Sequence, residues 1–360
     1  MPAVPPPSLI ICVPLVLAAI TAMPLRAQLV AYEGFQDYAA GVQVENGVNL
    51  SPGTGLAAGA GWGGPYDINN AIKQQVKIED RSSSPVNYTN GGIAILGGNR
   101  ALRFYDIANG SYALQRQLGT VFDAAAGDTL WFSVLFRTAT GGASPLANQD
   151  FFQIGFDDNS TAGVPRVSIG AGPTQTTFPS PFRFFARSTT AAAASAFYDG
   201  LSISAGTTYL LIGRIQPHAG SYDTVSLFVN PSSLEHPGPP AAEVVLPSGL
   251  GSLSHAFIRT AGLDGGDAYV FDEWHLGRDY GSVVQSLQGA LRLLPAAVPG
   301  GPLTLRWPVA LADVLLQTST TLAADSWTPV TGPFSLHGAE WEVPAPIEPE
   351  TPQRYFRLRR

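Results

Sequence analysis

Apolar and polar positions alternate in short runs along most of this chain. Examples are "TLWFSVLFRT" (129–138), "FFQIGF" (151–156), "RVSIGAG" (166–172) and "FRFFAR" (182–187). The pattern continues through "TYLLIGRIQ" (208–216), "DTVSLFVNP" (223–231) and "YVFDEWHLG" (269–277). Each run is rich in β-branched and aromatic residues and is bounded by Gly, Pro, Asn or Asp, the signature of strands and turns. Helical periodicity is nearly absent. "TTAAAASAFYDG" (189–200) reads equally as a short helix or a loop, and "NNAIKQQVKIEDR" (69–81) as another candidate helical turn. Many short strands with regular turns predict an all-β fold, a sandwich or barrel.

The pattern breaks at "LLPAAVPGGP" (293–302), where Pro and Gly cluster. A linker is expected over 289–302. A second module follows over 303–360, with strand-like runs "LTLRWPV", "DVLLQTST", "WTPVTG", "AEWEVP" and "RYFRLRR". It holds Trp307, Trp327 and Trp341, three of the chain's six tryptophans. That length suits a small β-sandwich.

Composition narrows the class. Only 13% of the 360 residues are charged and 45% are hydrophobic, which argues against a disordered chain. The net charge of −7 gives no electrostatic case for nucleic acid. "LIICVPLVLAAITA" (9–22), followed by "MPLRA", reads as a secretory signal peptide over 1–27, although no Lys or Arg precedes it. The run is too short and too interrupted by proline for a membrane span. Cys12, the single cysteine, lies within it. The expected mature protein is exported, to the medium, periplasm or cell surface, and has no disulfides, so its stability must come from the size of its core.

"AYEGFQDYAAG" (31–41) resembles the opening strand of concanavalin A-like, laminin-G-like jelly rolls, common in secreted proteins of planctomycete and verrucomicrobial bacteria. "GDTLWFSVLFRT", "TYLLIGRIQPHAGSYDTVSLFVNPSS" and "VFDEWHLGRDYGSVV" resemble later strands of the same modules, in order, so that the likeness spans 29–288. "LQTSTTLAADSWTPV" and "RYFRLR" resemble the small fibronectin- or immunoglobulin-like modules that end many such proteins. The resemblance implies an antiparallel two-sheet jelly-roll sandwich plus a small C-terminal β-sandwich. It also implies that "AYEGF" and "VFDEWHLG" lie side by side.

Asp272 and Glu273 raise the question of paired-carboxylate catalysis. Laminarinase-type hydrolases on this fold carry a Glu-x-Asp-x-x-Glu strand, whose spacing of two sets the first acids on one face. Here the acids are adjacent, so a regular strand points them to opposite faces and they cannot flank one glycosidic bond. Regular alternation puts Val270, Asp272, Trp274 and Leu276 on one face, and Tyr269, Phe271, Glu273 and His275 on the other. A buried Asp272 then needs a partner: turn N–H groups, an arginine, or a structural calcium ion shared with Glu33 of the first strand. Glu340 and Glu342 have a spacing of two but read as a solvent-facing pair. "GFDDNSTAG", with Asp157 and Asp158, and "GLDGGDAY", with Asp264 and Asp267, read as turns lacking EF-hand spacing. His218, His236, His255, His275 and His337 are too scattered for a zinc motif. There is no Gly-x-Ser-x-Gly elbow, and "GTGLAAGAGWGG" (53–64) has no Walker lysine and reads as a surface loop.

Aromatic rings are a further route to sugar binding. Trp62, Tyr66, Tyr88, Tyr105 and Tyr112 are expected in or near loops, where an exposed ring stacks on a pyranose or, if buried, packs on the core. "RFFAR" (183–187) could face an acidic polysaccharide or form a solvated strand edge. The leading expectation is a non-catalytic binding or surface-structural protein recognising extracellular carbohydrate or a cell-envelope component. A divergent glycoside hydrolase or polysaccharide lyase and a protein-binding envelope module are the alternatives, since one fold hosts all three.

Overall fold

The computed structural model describes residues 29–35, 38, 40–41, 61–69, 76–105, 111–138, 150–159, 164–174, 182–188, 195–263, 267–284, 292–294, 304–308, 315–321, 326–330, 335–337, 340–345 and 354–359. The expected signal peptide, most of the expected linker, Asp264 and the glycine-rich stretch 53–60 lie outside them. No described helix is long and apolar enough to cross a membrane.

The strands of the large module run in order as β1 (Leu29–Glu33), β2 (Trp62–Asn69), β3 (Val76–Asp80), β4 (Asn87–Asn90), β5 (Ile93–Leu96) and β6 (Arg100–Tyr105). There follow β7 (Ser111–Asp123), β8 (Leu130–Thr138), β9 (Phe151–Asp157), β10 (Val167–Pro173), β11 (Phe182–Ser188) and β12 (Ser195–Tyr198). The set ends with β13 (Thr208–His218), β14 (Ser221–Val229), β15 (Ala242–Val245), β16 (Ser252–Ala261), β17 (Ala268–Gly277) and the short helix α1 (Tyr280–Val283). Strands therefore stand where the sequence suggested helical turns: β3 lies within 69–81 and β12 within 189–200.

Two antiparallel sheets form a jelly-roll sandwich. An eight-stranded sheet has the order β15-β14-β13-β8-β17-β6-β3, with β1 added against β17. A seven-stranded sheet has the order β12-β11-β10-β9-β16-β7-β2. Alternate residues of both fill the space between them. Phe132 meets Phe156 at 4.9 Å and Phe136 meets Phe152 at 4.2 Å between ring centroids. Each fully buried ring contributes about 1.5–3 kcal/mol by leaving water, which serves in place of cross-links. A second apolar cluster lies on the outer face of the eight-stranded sheet, where Val86, Tyr88, Ile93 and Ile95 of the β4–β5 hairpin region cover Leu135, Leu210, Ile212 and Val270.

The expected pairing of "AYEGF" with "VFDEWHLG" holds: Tyr32 lies opposite His275 and Glu33 opposite Trp274. The expected faces of β17 do not hold. Val270 joins the outer cluster, but Trp274 and Leu276 join the inner core with Tyr269 and Phe271. A β-bulge between Asp272 and His275 inserts the extra residue that reverses the alternation, and Glu273 takes φ +50 there. The Asp272 carboxylate accepts a hydrogen bond from the Glu273 amide at 2.9 Å, which holds the bulge. The bulge also divides one edge of β17 between two neighbours: β6 pairs with Ala268–Phe271, and β1 pairs with Trp274–Gly277.

The small module contains β18 (Arg292–Leu294), β19 (Thr304–Pro308), β20 (Leu315–Ser319), β21 (Thr328–Pro329), β22 (Ser335–His337), β23 (Glu340–Pro344) and β24 (Tyr355–Arg359). Two small sheets, β18-β19-β23-β22 and β21-β20-β24, contribute to one core around Leu305, Trp307, Leu316, Trp341 and Val343. β18 lies inside the stretch expected as linker. Glu342, read from sequence as solvent-facing, accepts from Arg306 Nε at 2.6 Å.

Candidate functional site

The structure does not gather the five aromatics expected at a sugar site. Tyr66 and Tyr88 are not loop residues with an exposed ring: they lie in β2 and β4 and are buried. Tyr88 donates to the Pro231 carbonyl under the hairpin at 2.9 Å. Tyr105 ends β6 on the outer face of the eight-stranded sheet, between Lys77 and Arg103. Tyr112 lies in β7, and its side chain is outside what is described. Among the described side chains of the five, only Trp62 and Tyr66 meet, with ring centroids 6.4 Å apart, and they meet to hold a charge.

That charge is Arg116, whose guanidinium carbon lies 4.8 Å from the Trp62 ring and 4.7 Å from the Tyr66 ring. It donates to Glu33 Oε2 at 2.7 Å. Glu33 also accepts from the Phe35 amide at 2.9 Å and the Tyr38 hydroxyl at 3.2 Å. The pair is buried between the sheets and ties the first strand to β7. Glu33 and Asp272 do not fit a shared calcium ion. Glu33 points into the interior beside Trp274, whereas Asp272 lies on the other side of the bulge and packs against Gly97 of the outer cover. Among the described residues no group of three or more His, Cys, Asp or Glu side chains is placed to hold a metal.

A different constellation lies on the outer face of the seven-stranded sheet. Phe152, Ile154 and Phe156 of β9, Ile169 and Ala171 of β10, Phe184 and Ala186 of β11 and Ile258 of β16 fill the core. Their alternates therefore face outward: Phe151, Gln153 and Gly155; Ser168 and Gly170; Phe185 and Arg187; Arg259. Register sets these in rows. Gln153 lies opposite Arg259 on one side and Gly170 on the other, and Gly170 lies opposite Phe185. Ser168 lies opposite both Gly155 and Arg187. A Cβ at Gly170 would stand 2.0 Å from the Phe152 carbonyl oxygen and 2.9 Å from the Phe185 ring, so only glycine gives this low floor.

Arg187 donates to Ser195 Oγ at 2.7 Å and lies 4.5 Å above the Phe185 ring. Arg259 donates to Gln153 Oε1 at 3.3 Å and lies 4.7 Å from the Phe151 ring. Phe197 meets Phe185 edge-on at 5.8 Å. Burial, and then the positive charge of Arg259, pull Arg187 down to about 10. Burial alone lowers Arg259. Both stay charged at neutral pH. No described carboxylate pairs with Arg187; the charge it faces is a second guanidinium. Beneath, the fully buried Gln153 Nε2 and Ser168 Oγ have no hydrogen-bond partner among the described residues. The third arginine, Arg183, donates to the exposed Asp199 at 3.4 Å.

"RFFAR" is thus not a strand edge, because β12 covers β11. Its alternation correctly puts Arg183, Phe185 and Arg187 on one face, but nothing local announces Arg259, which the strand order brings in. Asp157, expected in a turn, ends β9 and is held by Arg166 through bonds of 3.0 and 2.6 Å. His255 lies opposite Asp157 on this sheet, and burial lowers its pKa, which keeps the imidazole neutral at neutral pH.

No family model matches the chain, and no curated protein matches it. Solved structures with similar architecture include the alginate lyase Aly36B in complex with alginate tetrasaccharide, 14% identical, covering 70% of this chain and 98% of that one, with a TM-score of 0.40. The calcium-bound exoplasmic/lumenal domain of VIP36 is 11% identical over 67% of this chain and 91% of that one, TM-score 0.38. Peanut lectin is 11% identical over 59% and 96%, TM-score 0.35. Likenesses this distant carry no argument about ligand or chemistry.

Proposed function

We propose that the protein is an exported carbohydrate-binding module that holds an acidic polysaccharide on the outer face of its seven-stranded sheet, without cleaving it. The observation that carries this is the Arg187–Arg259 pair. Two partly buried guanidiniums repel each other on this face, and a sugar carboxylate between them relieves that repulsion with forked, charge-assisted hydrogen bonds. Phe151 and Phe197, both partly exposed, supply apolar surface for the sugar ring beside the carboxylate.

The test is retention on immobilised polygalacturonate, with a neutral glucan as control, in the presence and absence of calcium. Wild type should be retained on the polyuronate, and retention should weaken as salt screens the charges. Arg187→Gln should weaken it at least about tenfold, which corresponds to about 1.4 kcal/mol. Equal retention of the variant, or retention on the neutral glucan alone, would refute the proposal. Release of unsaturated or reducing ends would overturn the non-catalytic part.

A further inference from the structure

The opposite side of the sandwich carries a second concentration of positive charge. Lys77 of β3 lies opposite Arg103 of β6, and Arg103 lies opposite Val270 of β17. Val270 lies opposite Arg137 of β8. Because Val270 belongs to the outer apolar cluster, the whole row faces outward. Arg81 follows β3 directly and is fixed by its amide, which donates to the Asn99 carbonyl at 2.8 Å.

Among the described residues, one acid is shown to pair with this group. Glu79 accepts from Arg103 Nη1 at 2.7 Å and pairs with Arg81 Nη2 at 2.5 Å. Arg137 reaches a hydroxyl instead, donating to Ser84 Oγ at 3.1 Å. The neighbouring Asp80 has the opposite parity and pairs with Arg100 at 3.3 Å. Arg81 Nε and Arg103 Nε are buried and have no hydrogen-bond partner among the described residues. Lys77 Nζ and the Arg103 guanidinium flank the Tyr105 ring at 4.9 and 5.2 Å. Burial lowers Arg81; Glu79 opposes this, while the charges of Arg137 and Arg103 add to it. In a chain of net charge −7, Lys77, Arg81, Arg103 and Arg137 thus gather on one face, where Glu79 is the carboxylate shown to pair with them among the described residues.

We infer that Arg81, Arg103 and Arg137 form a second oxyanion site, which takes a carboxylate or sulfate group of a polyanionic glycan on the outer face of the eight-stranded sheet. The guanidinium N–H groups not taken up by Glu79 or Ser84 supply the donors, Ser84 lies at the margin, and Tyr105 offers a ring beside the charge. Such a site stands apart from Arg187 and Arg259, and with both occupied the sandwich has two binding faces and links two polymer strands.

The experiment is a titration of the full chain with inorganic sulfate, followed by the Nε–Hε signals of its arginines. Arg81 and Arg103 should shift with saturation. Arg137→Gln should weaken that binding at least about tenfold, and Arg187→Gln should leave it unchanged. Arg137→Lys, which keeps the charge, controls for loss of fold and should retain part of the affinity. Shifts that rise without saturation, or that persist unchanged in Arg137→Gln, overturn the inference. Saturation confined to Arg187 and Arg259 overturns it as well, while leaving the first site intact. Light scattering with polygalacturonate then reads the linkage: wild type should cross-link the polymer, and either single-face variant should bind without cross-linking.

Discussion

Two arginines in this sandwich make opposite uses of the same side chain. Arg116 is buried between the sheets, where Trp62 and Tyr66 cover its faces and Glu33 takes its charge. Arg187 is half-buried on an outer face, where its hydrogen bond goes to a serine and its charged neighbour is Arg259. Both stand over aromatic rings, so the ring contacts do not distinguish them. The counter-charge does. An ion pair completed by the protein's own carboxylate holds strands together, whereas Arg187, with no described carboxylate beside it, is the cation that the proposed ligand would meet.

The comparison breaks most directly at Glu33. Glu33→Ala leaves the Arg116 guanidinium buried without its carboxylate and should cost about 3–5 kcal/mol of stability, measured by urea unfolding. Asp157→Asn sharpens the same contrast on the seven-stranded sheet and should cost ~1–3 kcal/mol at pH 7. Burial alone would raise the Asp157 carboxyl, but bonds from Arg166 and the Asp158 amide, with the charge of Arg166, hold it below its ordinary 3.8. Its stabilisation is therefore present above pH 3.8 and is lost as pH falls through the depressed value, so the curves of wild type and variant should converge in acid. Asp272→Ala removes the acceptor that holds the bulge and should cost roughly 1–2 kcal/mol. The loss should be the same with calcium or with a chelator, since Asp272 and Glu33 do not share an ion site. Arg187→Gln should change stability least, by no more than ~0.5 kcal/mol in thermal unfolding, because no described carboxylate is left behind and solvent screens the site. A large loss there would make Arg187 a structural residue like Arg116.

The all-β sandwich was legible because each strand carries its own alternation and turn signals. The pairing of the first and last strands followed from resemblance. The bulge was not legible. "FDEW" contains no glycine or proline to mark it, and an inserted residue reverses every later side chain without changing composition. That single shift moved Trp274 and Leu276 away from Asp272 and separated Asp272 from Glu33. The aromatics misled for a related reason: Tyr66 and Tyr88 border turn-rich stretches, but burial is decided by what packs over them from distant strands. On the outer face, Arg183, Phe185 and Arg187 could be read as one stripe from "RFFAR" alone. Gln153, Ser168 and Arg259 could not be joined to it, because the order β11-β10-β9-β16 is a property of the sheet and not of local sequence.

The junction of β1 with β17 also sets a timetable. The bond from the Tyr32 hydroxyl to Glu273 Oε1 spans 241 residues of chain. Closing a loop of that length costs about 5 kcal/mol in chain entropy before any contact repays it. The first strand is therefore expected to dock late, which would show as slow protection of the Tyr32 and Glu33 amides in pulsed hydrogen exchange. Until then, the Trp274–Gly277 half of β17 is an open edge that accepts any extended segment, including β1 of a second copy. Glu33 makes that step selective, because only a strand that delivers a carboxylate to Arg116 completes the interior.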